Sequence, residues 1–307
     1  MNAARAVLAA LLLASAASAQ GPSKYGTDDT IGAANNLSAE GTLAAADLVK
    51  LGKVYALGVV TGRDTPAYPP RSFQLTVVQP GAPAGRPMGA NLATYNDDIL
   101  AAWVGIGSQL DGLGHVGVDH VYYNGARAED FVAPTGLKKF GTDGVPPIAA
   151  RGVLLDMAKV ARTKRLPAGR AFNRAEIEAA EKAAGVTIRK GDVVLFHTGW
   201  QALAAKDPKK FMSGEPGLGK EGAEYLAARG VVAIGADTFG LEAVPAEDKT
   251  EFFPVHQILL AKHGVYILEN MNTGPLAADG ATEFLFVLGQ PRIEGAVQAI
   301  INPVAIR

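Results

Sequence analysis

The sequence predicts a single mixed α/β domain, with a β-rich core flanked by helices. Its 307 residues, of which 48% are hydrophobic, are enough to bury one full-sized core. Strand-like and helix-like segments alternate only in the second half, while the first half is rich in strands and loops. No internal repeat, low-complexity tract or linker divides the chain after its first residues. That pattern fits a mixed sheet with helices packed on it better than a regular Rossmann array.

The elements follow in order. The opening MNAARAVLAALLLASAASAQ reads as a secretory signal, with Arg5, an apolar run over 6–14 and Ala17-Ser18-Ala19 ahead of Gln20. Residues 1–19 are then a signal peptide and 20–307 the working domain. The apolar run falls short of the roughly 20 residues a membrane-spanning helix needs. The expected address is periplasmic or secreted, with no membrane contact once the signal is gone. A Gly/Asn-rich stretch, 25–36, leads to Ser38 and Glu40, which open an amphipathic helix through Leu51 that ends at Gly52. Residues 54–60 and 73–78 read as strands, and 80–89 as a Pro/Gly-rich loop. Residues 152–156 form a short buried strand, 173–184 a helix with Asn173 as N-cap, and 192–197 another buried strand. A helix over 221–229, a strand over 231–237, a helix over 254–262 and a strand over 265–269 come next. Strands at 283–288 and 296–301 close the chain.

Composition excludes several functions. A formal net charge of -1 gives no footprint for nucleic acid or an acidic membrane. With Cys 0 there is no disulfide, thiolate zinc site or cysteine nucleophile, so a transition metal must be held by His, carboxylate, amide or water. Against that background residues 107–125, GSQLDGLGHVGVDHVYYNG, stand out. They interleave Gln109, Asp111, His115, Asp119 and His120 with five glycines, in a chain with only 5 histidines. Glycine lets backbone approach an ion or substrate closely.

Gln109 and Asp111, two apart, share a face of an extended segment, and His115 four beyond Asp111 can close a chelate. A second pair lies in PVHQILLAKHGVYILEN, where His256 falls on the helix and Glu269 at the end of the next strand. Two carboxylates and two imidazoles suit zinc or manganese. Taken alone, the Asp111/His115 spacing is more often that of a hydrogen-bonded turn than of a ligand pair. His120 fits a pocket rim or a structural turn. His197, ending a strand, and His263, ending a helix, read as structural. Tyr68, Phe73, Trp103 and Phe253 are candidates to line a pocket or to fill core. Two motifs are decoys. Residues 217–222 fit G-x-G-x-x-G, but loop-like sequence precedes them instead of a strand. Ser108 lacks the G-x-S-x-G elbow of a serine nucleophile.

GSQLDGLGHV, together with the stretch KYGTDDTIGAANNLSAEGTLAAADLVKLGKVYALG, RGVLLD, GDVVLFHTGW, GADTFGLE and the distal His/Glu pair, resembles the metal-dependent cyclase/hydrolase family. That family includes bacterial kynurenine formamidase and isatin hydrolase, and the similar stretches span nearly all of 20–307. The resemblance implies a swivelling β/β/α fold and places Asp111, His115, His256 and Glu269 on family positions. The family's first two histidines fall on Gly105 and Gln109, so the resemblance is to a Gln-for-His branch. The expectation is one divalent ion, Zn or Mn, held by Asp111, His256 and Glu269 with His115 or Gln109. His115 serves as ligand or general base, and Glu269 orients the water.

The activity so implied is hydrolysis of a C–N (amide, formamide, cyclic amide) or ester/lactone bond in a small substrate. Alternatives are a metal-dependent lyase or cyclase, or a non-catalytic exported binding protein with a degraded metal site. The resemblance also implies a homo-oligomer, with a small molecule as the other partner and no nucleic acid.

Overall fold

The computed structural model describes residues 22–79 and 85–307. The signal peptide over 1–19 and the cleavage site before Gln20 lie outside the described residues, as does part of the expected 80–89 loop.

Nine strands form the main sheet: β1 (Val54–Ala56), β2 (Gln109–Asp111), β3 (Ile148–Asp156), β4 (Val193–His197), β5 (Ala233–Ala236), β6 (Tyr266–Glu269), β7 (Glu283–Leu288), β8 (Gln298–Ile300) and β9 (Val304–Ile306). Their order is β1-β9-β7-β3-β4-β5-β6-β2-β8. The centre, β3-β4-β5-β6, is parallel, and its strands read as uninterrupted apolar runs because both faces are covered. Val193, Val194, Leu195 and Phe196 are all 0% exposed. Helices α1 (Ala39–Ala46), α2 (Arg174–Ala184) and α3 (Lys220–Ala228) flank it. The mixed α/β domain expected from the sequence is therefore the one observed.

β2 and β8 extend the sheet beyond β6 in antiparallel fashion, and their register sets up everything that follows. Glu269 lies directly opposite Gln109, Ile267 opposite Asp111, and Gln298 opposite Asp111 on the other side. Directly paired residues of an antiparallel ladder share a face. Gln109, Asp111, Glu269 and Gln298 therefore project from one side of three neighbouring strands. The alternate residues Leu110, Leu268 and Ala299 point to the other side and join the core, each at most 1% exposed.

Several expectations need correction. The helix starting after Ser38 stops at Ala46 and does not reach Leu51. The backbone there is drawn off by the chain end: Leu51 and Lys53 both donate N–H to the Arg307 carbonyl. The strand expected over 54–60 ends at Ala56, because beyond it the Gly58 and Val59 N–H groups donate to Asn302 Oδ1 and Ser108 Oγ, not to a strand. The helix expected over 254–262 is α-helical only at Pro254–His256 and continues as a π-helix over Gln257–His263. A strand over Asp97–Ala102, unforeseen because Asp97 and Asp98 are poor strand formers, pairs with Phe73–Val78 in a separate two-stranded hairpin. Both of its strands are largely exposed, Leu75, Val77, Ile99 and Leu100 included.

Leu110 is the apolar anchor behind the polar quartet. Leu110→Ala removes a fully buried side chain whose space the flanking strands cannot easily close. It is expected to cost about 2–5 kcal/mol, read as a lowered urea midpoint.

Candidate metal centre

Each candidate ligand is brought in by a different device. Asp111 ends β2, and Glu269 ends β6 beside it. Immediately after Glu269 the chain turns through Asn270 at φ 53, a left-handed position that Asn tolerates better than most residues. Asn270 locks the turn: its side chain donates to the Gly107 carbonyl, and its own carbonyl accepts from Ser108 Oγ at 2.6 Å. Ser108 is thus a structural strut, in keeping with its exclusion as a nucleophile. His256 closes the three-residue α-turn that Pro254 begins, where the helix widens into its π segment. Phe253 ahead of it is held at φ 52, an uncommon conformation for a bulky residue and one often found next to functional sites.

These placements bring Asp111, His256 and Glu269 together, all buried, with one ligand atom from each within 4.8 Å of the others. His256 Nε2 is 3.2 Å from Glu269 Oε1 and 3.6 Å from Asp111 Oδ2. Asp111 Oδ2 is wholly buried and has no hydrogen-bond partner among the described residues. An orphaned carboxylate oxygen facing an imidazole nitrogen and a second carboxylate is a donor set that fits a divalent cation.

His256 Nδ1 lies 2.5 Å from Glu242 Oε1, and Glu242 also accepts the His256 and Val255 backbone N–H groups. A carboxylate on the far nitrogen orients the ring and turns Nε2 toward the cation. Sequence reasoning missed Glu242, which appeared there only as the last residue of GADTFGLE. It missed Gln298 as well, although a lone Gln in the apolar run VQAII was a usable signal. Gln298 donates to Asp111 Oδ1 at 2.7 Å and stands 3.5 Å from His115 Nε2.

The remaining residues fall in place around the trio. His115 is partly buried, its ring centroid 6.2 Å from that of His256. Gln109 donates to Glu269 Oε2 at 2.6 Å and to Asp111 Oδ1 at 3.2 Å. Glu215 is fully buried close by, one oxygen accepting from the Phe239 N–H. A narrow cleft of about 20 Å³, lined by Tyr68, Arg71, Met212 and Phe239 among others, reaches Gln109. Asp119 and His120 are exposed turn residues at φ 47 and 63 and take no part in the trio. His197 bonds Thr273 Oγ1, and His263 bonds Glu224. The glycines of 217–222 are packing residues: side chains at Gly217 and Gly219 would collide with Glu242 and Asn173.

Burial and crowding set the charges. Burial, then the negative charge of Asp111, pushes the Glu269 carboxyl up to about 8. Burial pushes Glu215 up too, with Glu269 adding to it. Burial alone would lower His256, but Asp111, Glu242 and Glu269 outweigh it and raise it well above its ordinary value. For Asp111 burial acts upward, and the two imidazoles with the Gln298 amide overcome it, holding it at about 2. Burial lowers His115, only partly opposed by Asp111. Burial thus favours its neutral form.

With that geometry in view, the comparisons decide the family. The Cyclase family model, described as "Putative cyclase", matches residues 55–243. The chain belongs to the cyclase family. No curated protein matches it. A solved structure described as a novel cyclase is 29% identical and superposes with a TM-score of 0.84 over 92% of this chain and 96% of its own. An isatin hydrolase bound to the product analogue thioisatinate is 20% identical, with a TM-score of 0.61 over 88% and 98%. A potential metal-dependent hydrolase with cyclase activity is 18% identical, with a TM-score of 0.53 over 82% and 98%. The fold is thus that of metal-dependent hydrolases and cyclases in the broad sense, and this chain carries a divalent-cation donor set within it.

Two outcomes follow for cation binding. Glu242→Gln weakens the orienting contact to His256, so affinity should fall roughly 10- to 100-fold in a chelator competition. Because His256 and Glu269 must lose protons before they can ligate, affinity should rise with pH toward about 8, with proton release seen by calorimetry in buffers of differing ionisation heat.

Proposed function

We propose that this protein is a metal-dependent hydrolase acting on the C–N bond of an amide, formamide or cyclic amide, or on an ester or lactone, in a small aromatic or cyclic substrate. The observation that carries the reading is the buried trio of Asp111, His256 and Glu269 with the His115 imidazole beside it. When bound there, a divalent cation supplies Lewis acidity, polarising a carbonyl and making water acidic enough to attack it at neutral pH. Zinc and manganese both suit the donors, two carboxylate oxygens and one imidazole nitrogen, and three protein ligands leave a coordination position open.

The chain's own residues account for the proton. The Gln298 amide stands 3.5 Å from His115 Nε2, and burial favours the neutral imidazole, which has one unprotonated ring nitrogen. His115 takes the proton of the attacking water on its unprotonated ring nitrogen, any contact with the Gln298 amide giving way, and returns it to the leaving nitrogen or oxygen. Asp111 and Glu269, kept apart from bulk water, bind and orient. Arg71, whose Nη1 donates to the Gly105 carbonyl, places a cationic group at the cleft for the developing negative charge or a substrate carboxylate. The cleft at rest has room for roughly one water. A ring-sized substrate therefore requires the cleft to widen.

Export to the periplasm or exterior, from the opening 1–19 stretch, belongs to the same proposal. So does assembly into a homo-oligomer, which is supported by the exposed apolar side chains of the 73–78/97–102 hairpin, since an isolated hairpin is marginal in water.

Two variants test the assignment of roles. Asp111→Ala should lose both bound Mn or Zn and all turnover of formamides, cyclic imides and lactones. His115→Ala should keep its metal while kcat falls by roughly 10²- to 10⁴-fold. In the wild type the acidic limb of the pH-rate profile should lie below 6.5, since the base works only when deprotonated and burial lowers its pKa; the limb should vanish in His115→Ala. Full metal and full activity in both variants would overturn the reading.

A further inference from the structure

The sequence leaves open what stands in the space of the two absent histidines, at Gly105 and Gln109. The structure answers with two amides. Gln298 comes from β8, far down the chain, and its side chain lies against the backbone of Gly105. A Cβ on Gly105 would fall 2.3 Å from Gln298 Oε1 and 2.7 Å from its Nε2. Gln298 can therefore reach Asp111 only because residue 105 has no side chain. Gln109 fills the corresponding place beside Glu269, directly opposite it in the ladder.

What these amides present is equally telling. Each turns its NH₂ group, not its oxygen, toward the carboxylates. Gln298 Nε2 donates to Asp111 Oδ1 at 2.7 Å, and Gln109 Nε2 donates to Glu269 Oε2 at 2.6 Å and to Asp111 Oδ1 at 3.2 Å. An amide nitrogen has no lone pair to give a cation, and its hydrogens carry partial positive charge. One oxygen of each carboxylate is thus engaged on the amide side. The others, Asp111 Oδ2 and Glu269 Oε1, face His256 Nε2. The cluster has a ligand side with three cation donors, and an amide side on which the two amides offer hydrogens and only His115, 3.5 Å from Gln298, offers a ring nitrogen.

We propose that Gln109 and Gln298, with Gly105, make this a one-cation centre. The amides occupy the ground on which further ligands would stand and hold the outer carboxylate oxygens so that the inner pair converges on a single ion. They are positioning residues, not ligands. The inference rests on the cation site and is independent of which bond the enzyme cleaves.

Manganese stoichiometry in the full chain tests it, read by elemental analysis and by electron paramagnetic resonance, which separates isolated from exchange-coupled ions. Wild type is expected to hold one Mn²⁺ per chain with an uncoupled signal. Gln109→Met and Gln298→Met keep the side-chain volume without an N–H and should still hold one ion. Gly105→His/Gln109→His/Gln298→Gly replaces the amides with imidazoles and gives residue 105 the vacated space. It should hold two ions with a coupled signal. No manganese in wild type would sink the cation site itself. Two ions in wild type would sink only the present inference. So would failure of either Met variant to take one ion even at saturating manganese, since a positioning amide only weakens binding whereas a ligating one abolishes it. A folded triple variant that retains the first ion and takes no second would overturn it as well. Should the triple variant fail to fold, the wild-type count and the Met variants still decide.

Discussion

The constraint on which the structure depends is a surplus of buried negative charge around one imidazole. Asp111, Glu242 and Glu269 converge on His256, and all four are almost wholly removed from solvent. Buried carboxylates are tolerated only when something compensates them. Here the compensation is shared among the imidazole, two side-chain amides, the backbone N–H groups of Val255 and His256, and room for a divalent ion. The opposite directions of the Asp111 and Glu269 shifts express the same crowding, since two carboxylates so near each other cannot both hold full charge without a cation. The strained approach at Phe253, the α-to-π transition after His256 and the locked turn at Asn270 are the means by which the backbone delivers these groups.

Much of this was legible in the sequence. The parallel centre of the sheet announces itself through VLLD, VVLF and VAIGA, because strands covered on both faces leave no polar alternation to confuse them. Asp111, His256 and Glu269 stood out through motif and residue scarcity. The supporting residues did not. Glu242 and Gln298 act across gaps of 14 and 187 residues, and no local spacing rule links them to their partners. The register that puts Gln298 opposite Asp111 is a tertiary fact, fixed by strands whose pairing has no signature in three-residue segments. Element ends were misjudged for a related reason: the chain terminus at Arg307 and the side chains of Asn302 and Ser108 claim backbone donors that local propensity assigned to a longer helix and a longer strand.

The family resemblance and the physical reading divide the site between them. Family position alone would label residues 105 and 109 as losses. The side chains show a substitution of one chemistry for another, with imidazole lone pairs replaced by amide hydrogens. The same exchange accounts for His115. The Gln298 amide stands 3.5 Å from its Nε2, and burial lowers its basicity.

The threading of the chain has a consequence for biogenesis. The family model matches 55–243, yet His256, Glu269 and Gln298 all follow it, and the chain then returns to pair β9 with β1. A nascent chain emerging from the ribosome carries Asp111 long before its partners exist. No stretch that ends before Glu269 can therefore assemble the trio, and a half-made chain finds no geometry to hold a cation. Occupation of the centre would in effect report that β6 has docked beside β2.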